Sequence, residues 1–327
     1  MTASGPDIDE IRALRDRLTG EVLCTPVMRC PAIEEQIGGG TEVTAKLEFL
    51  QRTGTFKARG ALATLHALTR EELENGVTAV SAGNHAIATA FAAQALGTTA
   101  RVVMIRSANP SRVAACESYG AEVLMADDVH QAFELAHKIR DEEGKYFVHP
   151  FEGPSIALGT GTIGMEICEQ VENIDTVVIP VGGGGLIGGS SNAIKQLRPD
   201  VEVVGVEPEG ADSMHRSFAS GVPESIEKVR TIADSLGAPF ALPYSFELTR
   251  KNVDRLAMID DEQIRKAMGF LFQSMNIAVE PACAATTAAL LGPLRDSLRG
   301  KRVVLLMCGS NIDWATFSEL VIFDNAA

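Results

Sequence analysis

The chain has 327 residues, of which 46% are hydrophobic and 22% are charged, and its formal net charge is −14 at pH 7. These proportions are typical of a globular protein, and the length is sufficient for two domains. The acidic charge argues against binding to nucleic acid or to an anionic membrane surface, because no basic stretch offers a complementary surface. The six cysteines show no metal-type or disulfide-type spacing, so we expect reduced thiols and a cytoplasmic protein.

Three stretches bear on location and regulation. The N-terminal segment is charged and amphipathic and lacks the apolar core of a secretory signal. Residues 76–100 contain no Asp, Glu, Lys or Arg, which raises the question of a membrane span. Because they include SAGNH and further glycines, we predict a strand, a loop and a buried helix there instead. Sixteen residues follow Asn311, too few for an appended regulatory module, so we expect no feedback control.

Short apolar strands and helices alternate along most of the chain. The predicted strands are TEVTAKLEFL, VTAVSA, ARVVMI, AEVLMA, TVVIPV, VEVVGVEP and RVVLLMC. Helices follow or precede them, including one from about Asp261 to Met275. This alternation is typical of βαβ units with parallel sheets covered on both faces. We therefore predict an α/β fold of two doubly wound domains, with residues 46–150 as a small domain and residues 1–45 plus 151–327 as a large one.

The stretch TGTFKARGA places Lys57 at the start of a predicted helix. Thr53 or Thr55 can cap this helix. At helical spacing, Lys57 shares a face with mostly apolar residues of the following turns, so its side chain points inward, where a solvated charge is unfavourable. Arg59 is predicted to lie on the wetter face. A reactive lysine and a lysine whose stem covers the apolar stripe are equally good interpretations of this stretch alone.

The stretch VGGGGLIGG follows a strand and opens a helix. Glycines let the backbone approach an anion, and a helix N-terminus supplies free N–H groups, so this loop indicates a phosphate site. Gly183, Gly185 and Gly188 also satisfy G-x-G-x-x-G, and Glu207 ends the next strand, where an acid would bind a ribose. A dinucleotide site therefore remains open, as does a turn that serves only tight strand–helix packing.

Two other turns follow predicted strands. SAGNH, from Ser81 to His85, suits a carboxylate, because backbone N–H groups at a helix start bind anions and Asn84 offers both a donor and an acceptor. A plain capped turn is the alternative. Cys308, in CGSN, closes the strand RVVLLM at the edge where α/β sheets bind ligands. A buried cysteine is otherwise most often a small hydrophobic residue.

Together, KLEFLQRTGTFKARGA, SAGNHA, HPFEGPSIALGTGTIGMEI, VGGGGLIGG, GVEP and CGSN resemble the fold-type II pyridoxal-phosphate enzymes. Within that family, the threonine and serine dehydratases and the serine racemases are most similar. The resemblance extends from about Thr25 to Asn311. It implies a fold like that of the tryptophan synthase β-subunit, pyridoxal 5′-phosphate as the cofactor, an amino acid substrate and a homodimer.

The resemblance also implies roles for individual residues. Lys57, with Phe56 beside it, would form the internal Schiff base. Asn84 would contact the 3′-oxygen of the cofactor, and Cys308 would lie beside its pyridine nitrogen. The cofactor phosphate would be held by Gly182, Gly183, Gly184, Gly185 and Leu186. The substrate carboxylate would be held by Ser81, Ala82, Gly83, Asn84 and His85.

The implied activity is that of a dehydratase, or ammonia-lyase, which converts a β-hydroxy amino acid to a 2-keto acid and ammonia. L-Threonine and L-serine are the default substrates. Serine racemases carry a second serine at the position of Ala82, so we do not expect racemisation. The stretch from Thr231 to Phe246 is expected to border the pocket. Its Phe240, Tyr244 and Phe246 could accommodate a bulkier β-group such as phenylserine, or could simply pack the domain.

Other activities also remain open. Within the same chemistry, hydroxyaspartate or a hydroxyectoine-derived amino acid could be the substrate, and a β-replacement synthase could share the fold. A nicotinamide-dependent oxidoreductase would explain the glycine loop and Glu207 but not Lys57. A non-catalytic ligand sensor would leave the intact lysine unexplained.

Metal-dependent relatives bind a divalent cation through a Glu, a backbone carbonyl and an acidic residue. Here EPEGADS offers Glu207, the Ala211 carbonyl and, in the acidic position, Ser213. Hard cations prefer charged oxygen ligands. The serine therefore argues against a divalent cation at this place.

Overall fold

The computed structural model describes residues 4–323. The strands are β1 (Val27–Arg29), β2 (Glu42–Leu47), β3 (Val77–Val80), β4 (Ala100–Ile105), β5 (Glu122–Ala126), β6 (Tyr146–Phe147), β7 (Thr176–Pro180), β8 (Glu202–Pro208), β9 (Arg255–Ile259) and β10 (Arg302–Met307). The first helices are α1 (Ile8–Arg17), α2 (Pro31–Ile37), α3 (Lys57–His66), α4 (Arg70–Asn75), α5 (Asn84–Ala95), α6 (Pro110–Ser118), α7 (Val129–Glu143) and α8 (Pro154–Gln170). The remaining helices are α9 (Gly185–Leu197), α10 (Ser213–Ser220), α11 (Pro243–Asn252), α12 (Asp261–Met275), α13 (Pro281–Leu291), α14 (Arg295–Leu298) and α15 (Trp314–Leu320).

Two sheets organise these elements. The larger has the strand order β1-β2-β10-β7-β8-β9, and the smaller has the order β5-β4-β3-β6. Neighbouring strands are parallel, apart from β1, which runs antiparallel to β2 at the sheet edge. The predicted α/β class with parallel sheets is confirmed. The antiparallel edge strand was not predicted, because three residues carry too little periodicity to signal a strand.

The smaller sheet lies entirely within residues 77–147, inside the predicted small domain. Its core also receives Leu14 and Leu18 from around the end of α1, which pack with residues of α3 and α5. Strand β2 belongs to the larger sheet and crosses the proposed boundary at residue 46. The division into 1–45 plus 151–327 and 46–150 stays a prediction.

The uncharged stretch of residues 76–100 forms β3, α5 and the first residue of β4. Helix α5 has 12 residues, and alanines at most of its buried positions allow close packing against neighbouring helices. No helix within residues 4–323 is long and apolar enough to cross a membrane.

The central strands of the larger sheet are apolar and fully covered. Residues Val303 to Met307 of β10 are all buried, as is the whole of β7. In a parallel sheet, the loops that follow neighbouring strands lie together at the carboxyl ends of those strands. This arrangement places the glycine loop after β7 next to Cys308 after β10.

Candidate active site

A cavity of about 310 Å³ is lined by the turns that follow β3, β7 and β10. It brings together every residue assigned above to the cofactor and to the substrate carboxylate: Phe56, Lys57, Ser81, Ala82, Gly83, Asn84, His85, Gly182, Gly183, Gly184, Gly185, Leu186 and Cys308. These residues come from four separate segments of the chain. Their convergence is what a single binding and reaction site requires.

Lys57 is the first residue of α3 and points into this cavity. Its backbone N–H donates to the Thr55 hydroxyl at 3.3 Å, although Phe56 is the residue at the N-cap position. Its Nζ donates to the Pro150 carbonyl at 2.6 Å. Burial lowers the pKa of the Lys57 amine to about 8, against the opposing effect of nearby Cys308 and Glu280. The amine therefore exchanges its proton near neutral pH.

Arg59 differs from its predicted position on a wet face, and that prediction is wrong. Its guanidinium is fully buried and donates to Glu48 at 2.9 Å and to Glu166 at 2.7 and 2.9 Å. Lys46 also binds Glu166, at 2.5 Å, so two cations and two carboxylates neutralise one another. This network ties α3 to α8 and fixes the helix that carries Lys57.

The glycine loop is shaped by close approach of Phe151. A Cβ on Gly183 would lie 2.3 Å from the Phe151 ring, and a Cβ on Gly185 would lie 2.4 Å from the Phe151 carbonyl oxygen. Gly184 has a φ of 90°, in the left-handed region, and directly precedes α9. Larger residues would clash here, so the backbone N–H groups at the start of α9 lie open to an anion in the cavity.

The turn from Ser81 to His85 starts α5 as predicted, but Gly83 is its N-cap residue. The Ser81 hydroxyl accepts from the Gly83 N–H at 3.1 Å, which closes the turn. The His85 Nε2 lies 2.8 Å from the Val148 carbonyl. Burial lowers the pKa of His85 to about 3, so the imidazole is neutral. His85 thus anchors the turn and does not supply a positive charge for a carboxylate.

Asn84 lies in a polar network that the sequence did not reveal. Its Nδ2 donates to the two Glu280 carboxylate oxygens at 2.9 and 3.0 Å and to the Ser235 hydroxyl at 3.1 Å. Its Oδ1 accepts from the Asn311 Nδ2 at 2.8 Å. Burial raises the pKa of Glu280 to about 7. In the sequence, Glu280 is recognisable only as an acidic residue just before the apolar helix α13, which does not indicate a contact with Asn84.

Cys308 is buried at the end of β10 and lines the cavity. Its carbonyl accepts from the Phe56 N–H at 3.2 Å, which joins β10 to the start of α3. A hydrogen bond with Cys283, together with burial, raises the pKa of the Cys308 thiol. The thiol is therefore neutral.

The model of the family described as "Pyridoxal-phosphate dependent enzyme" matches residues 18–309. This chain belongs to that family. It is 51% identical to the phenylserine dehydratase of Ralstonia pickettii over 97% of each chain. It is 39% identical to the L-threonine ammonia-lyase of Thermotoga maritima over 94% of this chain and 76% of that protein. Among solved structures, maize serine racemase superposes with a TM-score of 0.92 at 33% identity, covering 97% of both chains.

These comparisons confirm the predicted family, fold class and cofactor. The cavity fits the cofactor in three respects. The glycine loop leaves room at a helix N-terminus for a phosphate, Lys57 supplies an amine of lowered pKa, and Cys308 supplies a neutral thiol. The roles assigned to individual residues stay predictions, including those of Lys57, Cys308 and the residues of the two turns.

The carboxylate of Glu207, considered above for a ribose and for a divalent cation, lies at the start of α10. Its two carboxylate oxygens each accept a backbone N–H of α10, from Met214 and His215 at 2.8 Å. The Ser213 hydroxyl donates to the Ala238 carbonyl at 3.2 Å. Within the part of the chain that the structure describes, no three His, Cys, Asp or Glu residues are grouped as metal ligands.

These contacts give Glu207 a structural role as the acceptor at the N-terminus of α10. The cation site suggested for Glu207, Ala211 and Ser213 stays a prediction. The dinucleotide interpretation of the glycine loop is wrong, because the family uses pyridoxal phosphate.

Of the three aromatic residues expected at the pocket, only Phe240 lines it. Phe246 is fully buried, with its ring against Phe218 at 6.2 Å. The Tyr244 hydroxyl lies 3.5 Å from the Ser4 carbonyl. Tyr244 and Phe246 therefore follow the second alternative and pack the domain, because helix α11 turns them away from the cavity.

Sequence reasoning missed Phe133 and Phe151, which line the cavity beside Phe240. The rings of Phe151 and Phe240 are 6.1 Å apart. Phe133 belongs to α7 and connects to Phe151 through the rings of Phe147 and His149. Because these residues come from distant segments, no local spacing links them. We call Phe133, Phe151 and Phe240 the aromatic wall.

Proposed function

We propose that this enzyme dehydrates a β-hydroxy amino acid that carries an aryl group at the β-carbon, of which phenylserine is the simplest. The products are the corresponding 2-keto acid and ammonia. The observation that carries the proposal is the aromatic wall, which lines the same cavity as Lys57. An aryl group would pack against these rings with the favourable geometry of aromatic pairs.

Bound pyridoxal phosphate would supply the electron sink that makes the substrate α-proton acidic. Lys57 would act as the general base for that proton, and its pKa of about 8 allows the amine to take and return a proton near neutral pH. The Pro150 carbonyl, 2.6 Å from Nζ, orients the amine. The turn from Ser81 to His85 would hold the substrate carboxylate with its backbone N–H groups.

Similarity supports the same substrate class. The Ralstonia pickettii relative at 51% identity is a phenylserine dehydratase, whereas the Thermotoga maritima relative at 39% is an L-threonine ammonia-lyase. L-Threonine and L-serine would fit the cavity but leave the aromatic wall without contact. We therefore expect them to be turned over with lower kcat/KM than phenylserine.

The test is a keto-acid and ammonia assay on wild type and Lys57→Ala, with serine, threonine, hydroxyaspartate and phenylserine. In the wild type we expect visible cofactor absorbance and the highest kcat/KM with phenylserine. Lys57→Ala should lose both the absorbance and the activity. A higher kcat/KM with threonine than with phenylserine would contradict the aryl preference. A colourless wild type that gains neither absorbance nor activity from added cofactor would contradict the dehydratase itself.

We also propose a cytoplasmic homodimer. The dimer is supported by the family resemblance, and the location is supported by the six cysteines, all of which are free thiols. Sedimentation analysis of the holoenzyme tests the dimer.

A further inference from the structure

Arg112 is a positively charged residue of the cavity that has no role in the proposed reaction. It lies in the first turn of α6, lines the cavity, and has a side chain that is only 12% exposed. Its Nη1 donates to the Asp234 carboxylate at 2.5 Å. Its Nε and Nη2 donate to the Asn311 carbonyl at 3.3 and 3.2 Å. A buried guanidinium held at both edges has a fixed position and orientation.

The guanidinium lies directly against the turn proposed for the substrate carboxylate. A Cβ built on Gly83 would be 2.9 Å from the Arg112 Nη1. Among the described residues that line the cavity, Lys57 and Arg112 are the lysine and arginine side chains. Since Lys57 is committed to the reaction and His85 is neutral, Arg112 is the cation left to attract an anion at this turn.

Asp234 is a replaceable partner for Arg112. Its side chain is 55% exposed, so the carboxylate can turn into solvent at little cost. The α-carboxylate of an amino acid has the same charge and planar shape as the Asp234 carboxylate. An arginine fork binds such a group through two parallel hydrogen bonds, whereas only the Nη1 contact reaches Asp234 here.

We propose that Arg112 binds the substrate α-carboxylate together with the turn from Ser81 to His85, and that Asp234 competes with the substrate for the guanidinium. In the free enzyme, Asp234 holds the guanidinium at the cavity through Nη1, while Nη2 lies 3.9 Å from the Glu280 carboxylate. When the substrate enters, its carboxylate displaces Asp234. This proposal rests on the proposed amino acid substrate but not on the identity of its β-substituent.

The competition makes opposite predictions for the two partners of the ion pair. Arg112→Gln removes the anchor, so KM should rise about ten-fold for phenylserine and for threonine alike. Asp234→Asn removes the competitor, so KM should fall. If the Arg112–Asp234 ion pair only stabilised the fold, either variant would break it, and both variants would shift KM in the same direction.

Asn109→Ser is the matched control. Asn109 Nδ2 donates to Asp313 at 2.5 Å, a second contact between the α6 segment and the chain after β10. Its Oδ1 caps α6 by accepting the Ser111 N–H at 2.9 Å, and serine preserves this cap. The control therefore loosens the same pair of segments while it leaves the cavity intact, and its KM should equal that of the wild type.

The decisive experiment measures KM for both substrates and, by calorimetry, the binding of 3-phenylpropanoate to the holoenzyme of each variant. We expect KM and the dissociation constant of this carboxylate to rise together in Arg112→Gln and to fall together in Asp234→Asn. Equal shifts in the two variants, or a fall in kcat with unchanged KM in Arg112→Gln, would overturn the proposal. A wild type without turnover would instead overturn the proposed function, and the calorimetric comparison would still test Arg112.

Discussion

Phe240 offers the sharpest test of substrate preference, because it contributes to the aromatic wall without supporting the cofactor loop. Phe151, in contrast, packs directly on Gly183 and Gly185, so its removal would also disturb the phosphate site. Phe240 is partly exposed to the cavity, and its ring pairs with that of Phe151 at 6.1 Å. Phe240→Ala therefore removes the proposed substrate contact with little effect on the fold.

The expected loss follows from the contacts of one ring. An aromatic pair contributes about 0.5–1.5 kcal/mol beyond the burial of apolar area, and area burial adds about 25 cal/mol per Å². A total of about 1.4–3 kcal/mol corresponds to a loss of about ten-fold to a hundred-fold in kcat/KM for phenylserine. The methyl group of threonine is too short to use this ring, so kcat/KM for threonine should change by less than about three-fold.

The assay is the ratio of kcat/KM for phenylserine to that for threonine in three variants. Phe240→Ala should lower the ratio at least about ten-fold, and Phe240→Leu, which keeps apolar bulk, should lower it less. Tyr244→Leu removes a ring from the same region outside the cavity and should leave the ratio unchanged. If Phe240→Ala reduced turnover of both substrates by one common factor, the aromatic wall would not determine specificity.

Three further predictions concern Glu280, Ala82 and Glu207. Burial raises the pKa of Glu280 from 4.5 to about 7, so the folded apoprotein loses stability as pH rises between these values. In urea unfolding, the unfolding free energy of Glu280→Gln should therefore rise relative to that of the wild type by up to about 3 kcal/mol from pH 4.5 to 7. A difference that stays constant over this range would refute the prediction. Ala82→Ser should introduce racemisation of serine, detected by chiral chromatography, whereas the wild type should form no D-serine. Glu207→Ala should cost about 1–2 kcal/mol in unfolding free energy, because two N–H groups of α10 lose their acceptor, and chelation of divalent cations should leave wild-type activity unchanged.

Local signals explain which parts of the fold could be predicted. Helix α12 runs from Asp261 to Met275 as expected, since Asp260 and Gln263 form a capping box at its start and Asn276 ends it in the left-handed conformation. The predicted strand TEVTAKLEFL is shorter in the structure and ends at Leu47, where a single 3₁₀ turn begins. Strand ends depend on where the neighbouring strand stops, and the segment itself does not carry that information.

In the candidate site, too, features with local signals could be predicted and features that depend on distant segments could not. Its turns could be predicted, because glycines and helix starts are signals within a few residues. Glu280 could not be predicted, since its partner Asn84 is 196 residues away. Arg112 pairs with Asp234 across 122 residues, and the aromatic wall combines α7 with two loops. Such contacts exist only once both sheets are assembled.

Lys57 and Arg59 show why a buried cation cannot be assigned from its position on a helix. They are two residues apart in α3, and neither is an ordinary surface charge. Arg59 faces the carboxylates of Glu48 and Glu166, so its pKa is raised and its charge is permanent. Lys57 donates to the Pro150 carbonyl, which carries no full charge, and burial therefore prevails and lowers its pKa to about 8. The nature of the partner, more than the extent of burial, keeps one cation permanently charged and allows the other to lose its proton near neutral pH.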